Sequence, residues 1–186
     1  SPAAHATIRM RRFDYLTQPP GAAKAAIFGA DAATDSAGRF EFRDVDPGEY
    51  RIEINDGRSV ALLACTLGVA DTADLGPATL RSYAAITGTV DSAYGPVYVQ
   101  VYGLERLARA DSSGRFTLTG MPAGSFRIRI VGTEASSPAI QLDQVRTAPG
   151  ESTAVTADPR WRFSKRLHLN TTAGGAGVSE NVAAFL

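Results

Sequence analysis

The chain has 186 residues, 44% of them apolar and 20% charged, and its 19 Lys+Arg balance 19 Asp+Glu to a formal net charge of zero. A neutral surface has no field with which to gather phosphates or anionic lipid, so nucleic acid is excluded as a partner. No apolar run approaches the length of a membrane span, so no membrane insertion is expected, and the single Cys65, in the apolar run "SVALLACTLGV", excludes an internal disulfide and reads as a buried, inert thiol.

Taken in chain order, the first informative stretch is "TDSAGRFEFRDVDPGEYRIEI" (34–54). Phe40 and Phe42 alternate with Arg39 and Glu41, and Tyr50, Ile52 and Ile54 alternate with Arg51 and Glu53. Period-two patterning predicts two strands with the apolar residues inward and Arg39, Glu41, Arg51 and Glu53 exposed. In "DSAG" an Asp caps nearby backbone N–H groups and Gly38 takes a positive φ, which is hairpin punctuation. Pro47 and Gly48 in "DPGEY" predict a type II turn.

The same pattern returns 76 residues later as "ADSSGRFTLTGMPAGSFRIRI" (110–130), so Asp35, Gly38, Arg39-Phe40 and Ile52-x-Ile54 become Asp111, Gly114, Arg115-Phe116 and Ile128-x-Ile130. A repeat of this length predicts two small domains. Around the second copy, "ITGTV" (86–90), "VYVQVYGL" (97–104), "RFTLTGM" (115–121), "SFRIRIVG" (125–132) and "AIQLDQVRT" (139–147) are short strand-like runs at the spacing of a sandwich or barrel. Arg127 and Arg129 are expected to face water. The loop "MPAGSF" is expected to differ from "DPGEY", its glycine being read as displaced by one place. The link "LRSYAA" (80–85) leaves little slack, which favours a semi-rigid pair.

These residues carry a resemblance. The string D-x-x-G-R-F-x-F, followed by P-G-x-Y/F-x-I-x-I, resembles the carboxypeptidase regulatory-like domain, related to collagen-adhesin B-type repeats. The resemblance implies an all-β fold of two tandem transthyretin-like Greek-key sandwiches, at 1–81 and 82–158, with 159–186 as an extended tail, the start of a further domain or a donor strand. In the family pattern "SPAAHATI" is similar to the turn and second strand, so the first copy is expected to lack its opening strand. The resemblance also implies a secreted or surface location in a bacterium and a non-catalytic role.

The search for chemistry agrees. His5 and His168 stand near opposite ends of the chain, no G-x-S-x-G elbow is present, and neither histidine has a partner at zinc-ligand spacing. Asp31, Asp35, Asp44, Asp46, Asp71 and Asp74 form no D-x-D-x-D-G calcium loop and read as solvated turn carboxylates. The adhesin-type Lys–Asn cross-link is rejected, since residues 82–158 hold no lysine and Lys24 lies outside an opening strand. "GGAGVS" (174–179) and "TGTV" (87–90) lack the strand and helix of a phosphate loop. No enzyme, cofactor or metal is therefore expected. The one distinctive surface is "YGPVYVQVYG", where Tyr98 and Tyr102 share the face opposite Val97, Val99 and Val101, with Tyr94 in the turn. The first copy has Thr7, Arg9 and Arg11 at the equivalent places. Such rings can stack on a polysaccharide or pack against a neighbouring domain. The expected function is a structural and interaction module, assembling with domains of its own polypeptide or by strand exchange between copies, with a carbohydrate-binding module as the alternative.

Overall fold

A computed structural model describes residues 2–21, 29–91, 96–133 and 139–157. Every regular element among them is a strand: β1 Thr7–Arg12, β2 Gly29–Ala33, β3 Gly48–Asn55, β4 Ser59–Leu67, β5 Arg81–Ser82, β6 Ala84–Val90, β7 Val97–Val101, β8 Leu107–Arg109, β9 Arg115–Met121, β10 Gly124–Gly132, β11 Ile140–Thr147 and β12 Ser152–Ala157. They form three sheets, ordered β2-β1-β3-β4-β5, β11-β10-β7-β8 and β12-β6-β9. Lys24, Tyr94 and the whole 159–186 segment, with His168 and "GGAGVS", lie outside the described residues.

The second repeat is closed on both sides. Strand β6 lies between β9, antiparallel with Ile86 opposite Leu118, and β12, parallel with Thr153 beside Ile86. This three-stranded sheet joins the four-stranded one in a core that includes Ile86, Val90, Val99, Val101, Phe116, Leu118, Phe126, Ile128 and Ile130. Each such side chain contributes about 1.5–3 kcal/mol when fully removed from water.

Among the described residues the first repeat contains the counterpart of only one of these sheets. Ile8 and Met10 of β1 pair with Ile54 and Ile52 of β3, just as Val99 and Val101 of β7 pair with Ile130 and Ile128 of β10. Its buried cluster is Ala6, Ile8, Met10, Tyr50, Ile52, Ile54 and Ala61. The strand expected at Arg39–Phe42 does not form, although Phe40 and Phe42 still turn onto this cluster. The physical reason is the lack of a partner: its twin β9 is hydrogen-bonded to β6, and among the described residues nothing plays that part for 39–45. Residues 68–80 form no strand either, though Leu75, Ala78 and Leu80 pack inward as β12 does in the second repeat. Cys65 shares this incompletely covered face and is half-buried rather than sealed.

The Asp turns follow the sequence reading. Asp35 Oδ1 accepts the N–H of Ala37 and of Arg39, each at 2.8 Å, and Asp111 Oδ1 accepts those of Ser113 and Arg115 at 2.8 and 2.9 Å. Gly38 and Gly114 close them at φ 74° and 75°. The glycine of "DPGEY" behaves differently. Gly48 opens β3 at φ 159° and Gly124 opens β10 at φ 156°, both too extended for the second central place of a type II turn. The two glycines are equivalent, so the proline is what moves between the loops.

Candidate functional site

The outer face of the first sheet does not face water. Alternation along β1 and β3 sends Ile8, Met10, Ile52 and Ile54 inward and Arg9, Arg11, Arg51 and Glu53 outward, and that outward face is covered by the second repeat. Arg51 and Glu53, both expected to be exposed, keep only 7% and 3% of their surface. Leu62, opposite Glu53 on β4, packs against the second repeat's core.

The charges on this face are paired across the junction. Arg106 donates to Glu53 Oε1 at 2.9 Å and to the Gly120 carbonyl at 2.7 Å, so Glu53 is buried with a counter-charge. Arg11 donates through Nε to Glu105 Oε1 at 2.8 Å and through a second nitrogen to the same oxygen. Its third nitrogen meets the Met10 carbonyl at 2.8 Å and Asp31 at 2.7 Å. Burial pulls the Arg11 guanidinium down, but its bonds to Asp31 and Glu105 outweigh this and its pKa is raised on balance. Arg9 adds a looser contact to Glu105 at 3.5 Å.

Arg51 is held differently. Its guanidinium lies 4.7 Å from the Phe13 ring centre and 5.0 Å from that of Phe126, and one nitrogen donates to the Ser125 carbonyl at 3.1 Å. Flat cations favour such aromatic faces. Another of its nitrogens is buried without a hydrogen-bond partner among the described residues. Burial first, and then the charge of Arg127, press its pKa below the ordinary value. A side chain at Gly103 would meet the Arg51 stem at 2.6 Å, so this glycine is what lets the guanidinium pass.

The segment after β1 completes the junction through its backbone. The Gly103 N–H donates to the Tyr15 carbonyl at 2.8 Å, Leu16 bridges to Leu104, and Gln100 Nε2 donates to the Thr17 carbonyl at 2.7 Å. Tyr83, in the link between repeats, donates to Asn55 Oδ1 at 2.7 Å.

This arrangement decides how the predicted tyrosine surface is used. Tyr98 and Tyr102 do share the outer side of β7, but Gln100 between them is 1% exposed beneath Thr17. Both rings are half-buried, and Arg127 stands 5.5 Å from the Tyr102 ring centre. Arg127 is exposed as expected and pairs with Asp143 at 3.0 Å, whereas Arg129 is half-buried. One signal of the junction was present in the sequence: the two copies differ on this face, with Arg9 and Arg11 in one and Gln100 and Tyr102 in the other.

Elsewhere the first repeat holds a shallow, open hollow of about 340 Å³ lined by His5, Thr7, Arg9, Asn55, Asp56 and Gly57. No group of three or more His, Cys, Asp or Glu is gathered for a metal among the described residues, and no helix there is long and apolar enough to cross a membrane. No family model matches the chain, and no curated protein matches it. Among solved structures, the chain is similar to the minor pilin GBS52 of the Gram-positive pathogen Streptococcus agalactiae, at 12% identity over 84% of this chain and 83% of the pilin chain, with a TM-score of 0.34.

Proposed function

We propose that this chain is a non-catalytic structural segment in which two carboxypeptidase regulatory-like sandwiches, residues 1–81 and 82–158, are locked into one stiff unit of a larger secreted or surface protein of a bacterium. The observation that carries the reading is the buried junction, where Glu53 meets Arg106, Arg11 meets Glu105, and Arg51 sits between Phe13 and Phe126. A flexible string of domains has no use for charges buried between its members, because desolvating an ion pair offsets most of what the pairing contributes. Buried pairs fix geometry, since any other mutual orientation leaves a charge unpaired in a dry site. The half-buried tyrosines belong to this function as packing residues.

The test is the spread of distances between the two units, read by pulsed electron spin resonance. Labels go on Thr72→Cys and Ser113→Cys, both exposed positions, in a Cys65→Ser background. A single narrow distance is expected, and Glu53→Ala, which strands Arg106, broadens it while costing roughly 3 kcal/mol. A broad distribution in the unaltered chain overturns the reading.

A further inference from the structure

We propose that the junction between the repeats is built as a hinge, which opens along Arg51 and Phe13 while the pairs Glu53–Arg106 and Arg11–Glu105 stay closed. The inference rests on the stiff reading of that junction and adds the place where it yields. The two halves of the junction differ in charge balance. On one half each cation meets a carboxylate: Arg106 has Glu53, Arg11 has Glu105 and Asp31, and Arg9 has Glu105. On the other half the side chains form a ladder in the order Phe126, Arg51, Phe13, Arg127 and Tyr102. Successive guanidinium-to-ring-centre distances along it are 5.0, 4.7, 6.0 and 5.5 Å. Two cations share the central ring.

Among the described residues only one of these two cations has a counter-charge. Phe126 of β10 stands opposite Val145 and Ile128 opposite Leu142, so two residues of β11, Asp143 and Gln144, face Arg127 alone. This bulge holds Gln144 at φ 58° and brings Asp143 to Arg127 at 3.0 Å. The fold thus carries a strained residue where the exposed cation is paired and leaves the buried one without a carboxylate. Arg51 has the Ser125 carbonyl, two rings, and one buried nitrogen with no hydrogen-bond partner among the described residues. Directly across from it on β1 stands Arg11, a third cation. An unpaired donor in a dry site is costly, and like charges opposite one another on a sheet repel. Water reaching the Arg51 guanidinium relieves both. Opening therefore starts on this side, and the bond that reports it crosses the junction beside the Arg51 stem, from the Gly103 N–H to the Tyr15 carbonyl at 2.8 Å.

The experiment follows two exchanging protons of the full chain by nuclear magnetic resonance: the Gly103 N–H, and the Nε–H of Arg11, which reaches Glu105 on the other half. Arg51→Met keeps an unbranched stem between Phe13 and Phe126 and removes the charge. Gly103 exchange is expected to slow about 10-fold in this variant, with Arg11 exchange the same to within about twofold. Arg51→Lys keeps the charge and should give no slowing. Ser125→Asp, at an exposed position on the side of β10 that carries Arg127, supplies the missing carboxylate and should slow Gly103 exchange roughly 3-fold. Gly103 exchange that quickens or stays the same in Arg51→Met makes Arg51 a clamp and overturns the hinge. Equal slowing at Gly103 and Arg11 also overturns it, because the junction then opens as one body, and equal slowing by Arg51→Lys and Arg51→Met overturns the charge as the cause. If Arg51→Met does not fold, Ser125→Asp decides by the same readout. The open form is a minority, so the distance between the two units stays single in every variant, whereas a broad distribution in the unaltered chain overturns the stiff reading itself.

Discussion

Phe116 and Phe40 stand after the same Gly-Arg in the same turn, yet Phe116 is 4% exposed inside a paired strand and Phe40 is half-buried on a segment with no strand geometry. What differs is the neighbour. Phe116 lies on β9, which β6 holds by hydrogen bonds, and 39–45 has no such partner among the described residues. The pair teaches that an alternating apolar pattern is a capacity for strand formation which is realised only when a second backbone satisfies its N–H and C=O groups. The same contrast covers whole units, since the closed repeat buries Leu118, Met121 and Ala157 where the open one leaves Phe42, Val45 and Leu80 part-covered.

The largest test of this comparison truncates the two phenylalanines. Phe116→Ala should cost about 3–5 kcal/mol and Phe40→Ala roughly half as much, because a half-covered ring gives up less contact. Urea unfolding followed by amide exchange, which reports each repeat separately, makes the measurement. Equal costs would break the comparison.

A somewhat smaller effect is expected at the paired glycines. Alanine at either position must adopt the left-handed backbone, at about 1–2 kcal/mol. At Gly114 the added methyl also runs into the Val90 carbonyl, so the total should reach about 2–4 kcal/mol, whereas at Gly38 it meets the Pro2 ring at 2.9 Å and the Ala3 backbone nitrogen at 3.3 Å, a milder clash. Thermal midpoints of Gly114→Ala and Gly38→Ala give the comparison. Equal shifts of the two midpoints would break the comparison.

Much of the fold was legible in the sequence because it is written locally. The Asp turns need only an Asp and a Gly at fixed spacing, and the inward set Ile52, Ile54, Ile128 and Ile130 needs only alternation. That 39–45 has no strand partner among the described residues was not legible, since strand pairing is a property of two segments. The junction was the least legible part. Arg51 and Glu53 carry the pattern of a solvated face, and nothing in "RIEI" says that Arg106, more than fifty residues on, will arrive to neutralise Glu53. Charge in a strand marks the face opposite the core, and only the tertiary arrangement decides whether water or a second domain lies there. Tyr98 and Tyr102 show the converse: aromatic residues on such a face were open to two readings, and Gln100, buried between them, was the more informative neighbour.

The smallest effect serves as a control on the comparison, because it concerns a turn that the two repeats share. The N–H of Arg39 foremost, and that of Ala37 with it, hold the Asp35 carboxylate in its charged form, so its pKa lies below the ordinary carboxylate value in the folded chain, a little burial acting the other way. Asp56 is lowered in the same manner by the N–H groups of Arg58 and Ser59. A group that binds its proton less readily when folded stabilises the folded state fully above its unfolded pKa of about 4, and that contribution fades as the pH falls through the lower folded value. Thermal midpoints should therefore drop below about pH 4, and Asp35→Asn, which keeps an oxygen acceptor without the titrating proton, should remove part of that drop. The carboxylate's hydrogen bonds lie within residues 35–39, so Phe40→Ala, just beyond the turn, should leave this acid dependence unchanged. A difference between Phe40→Ala and the unaltered chain would mean that the turn senses the segment it leads into, and the contrast between the repeats would then begin at the turn.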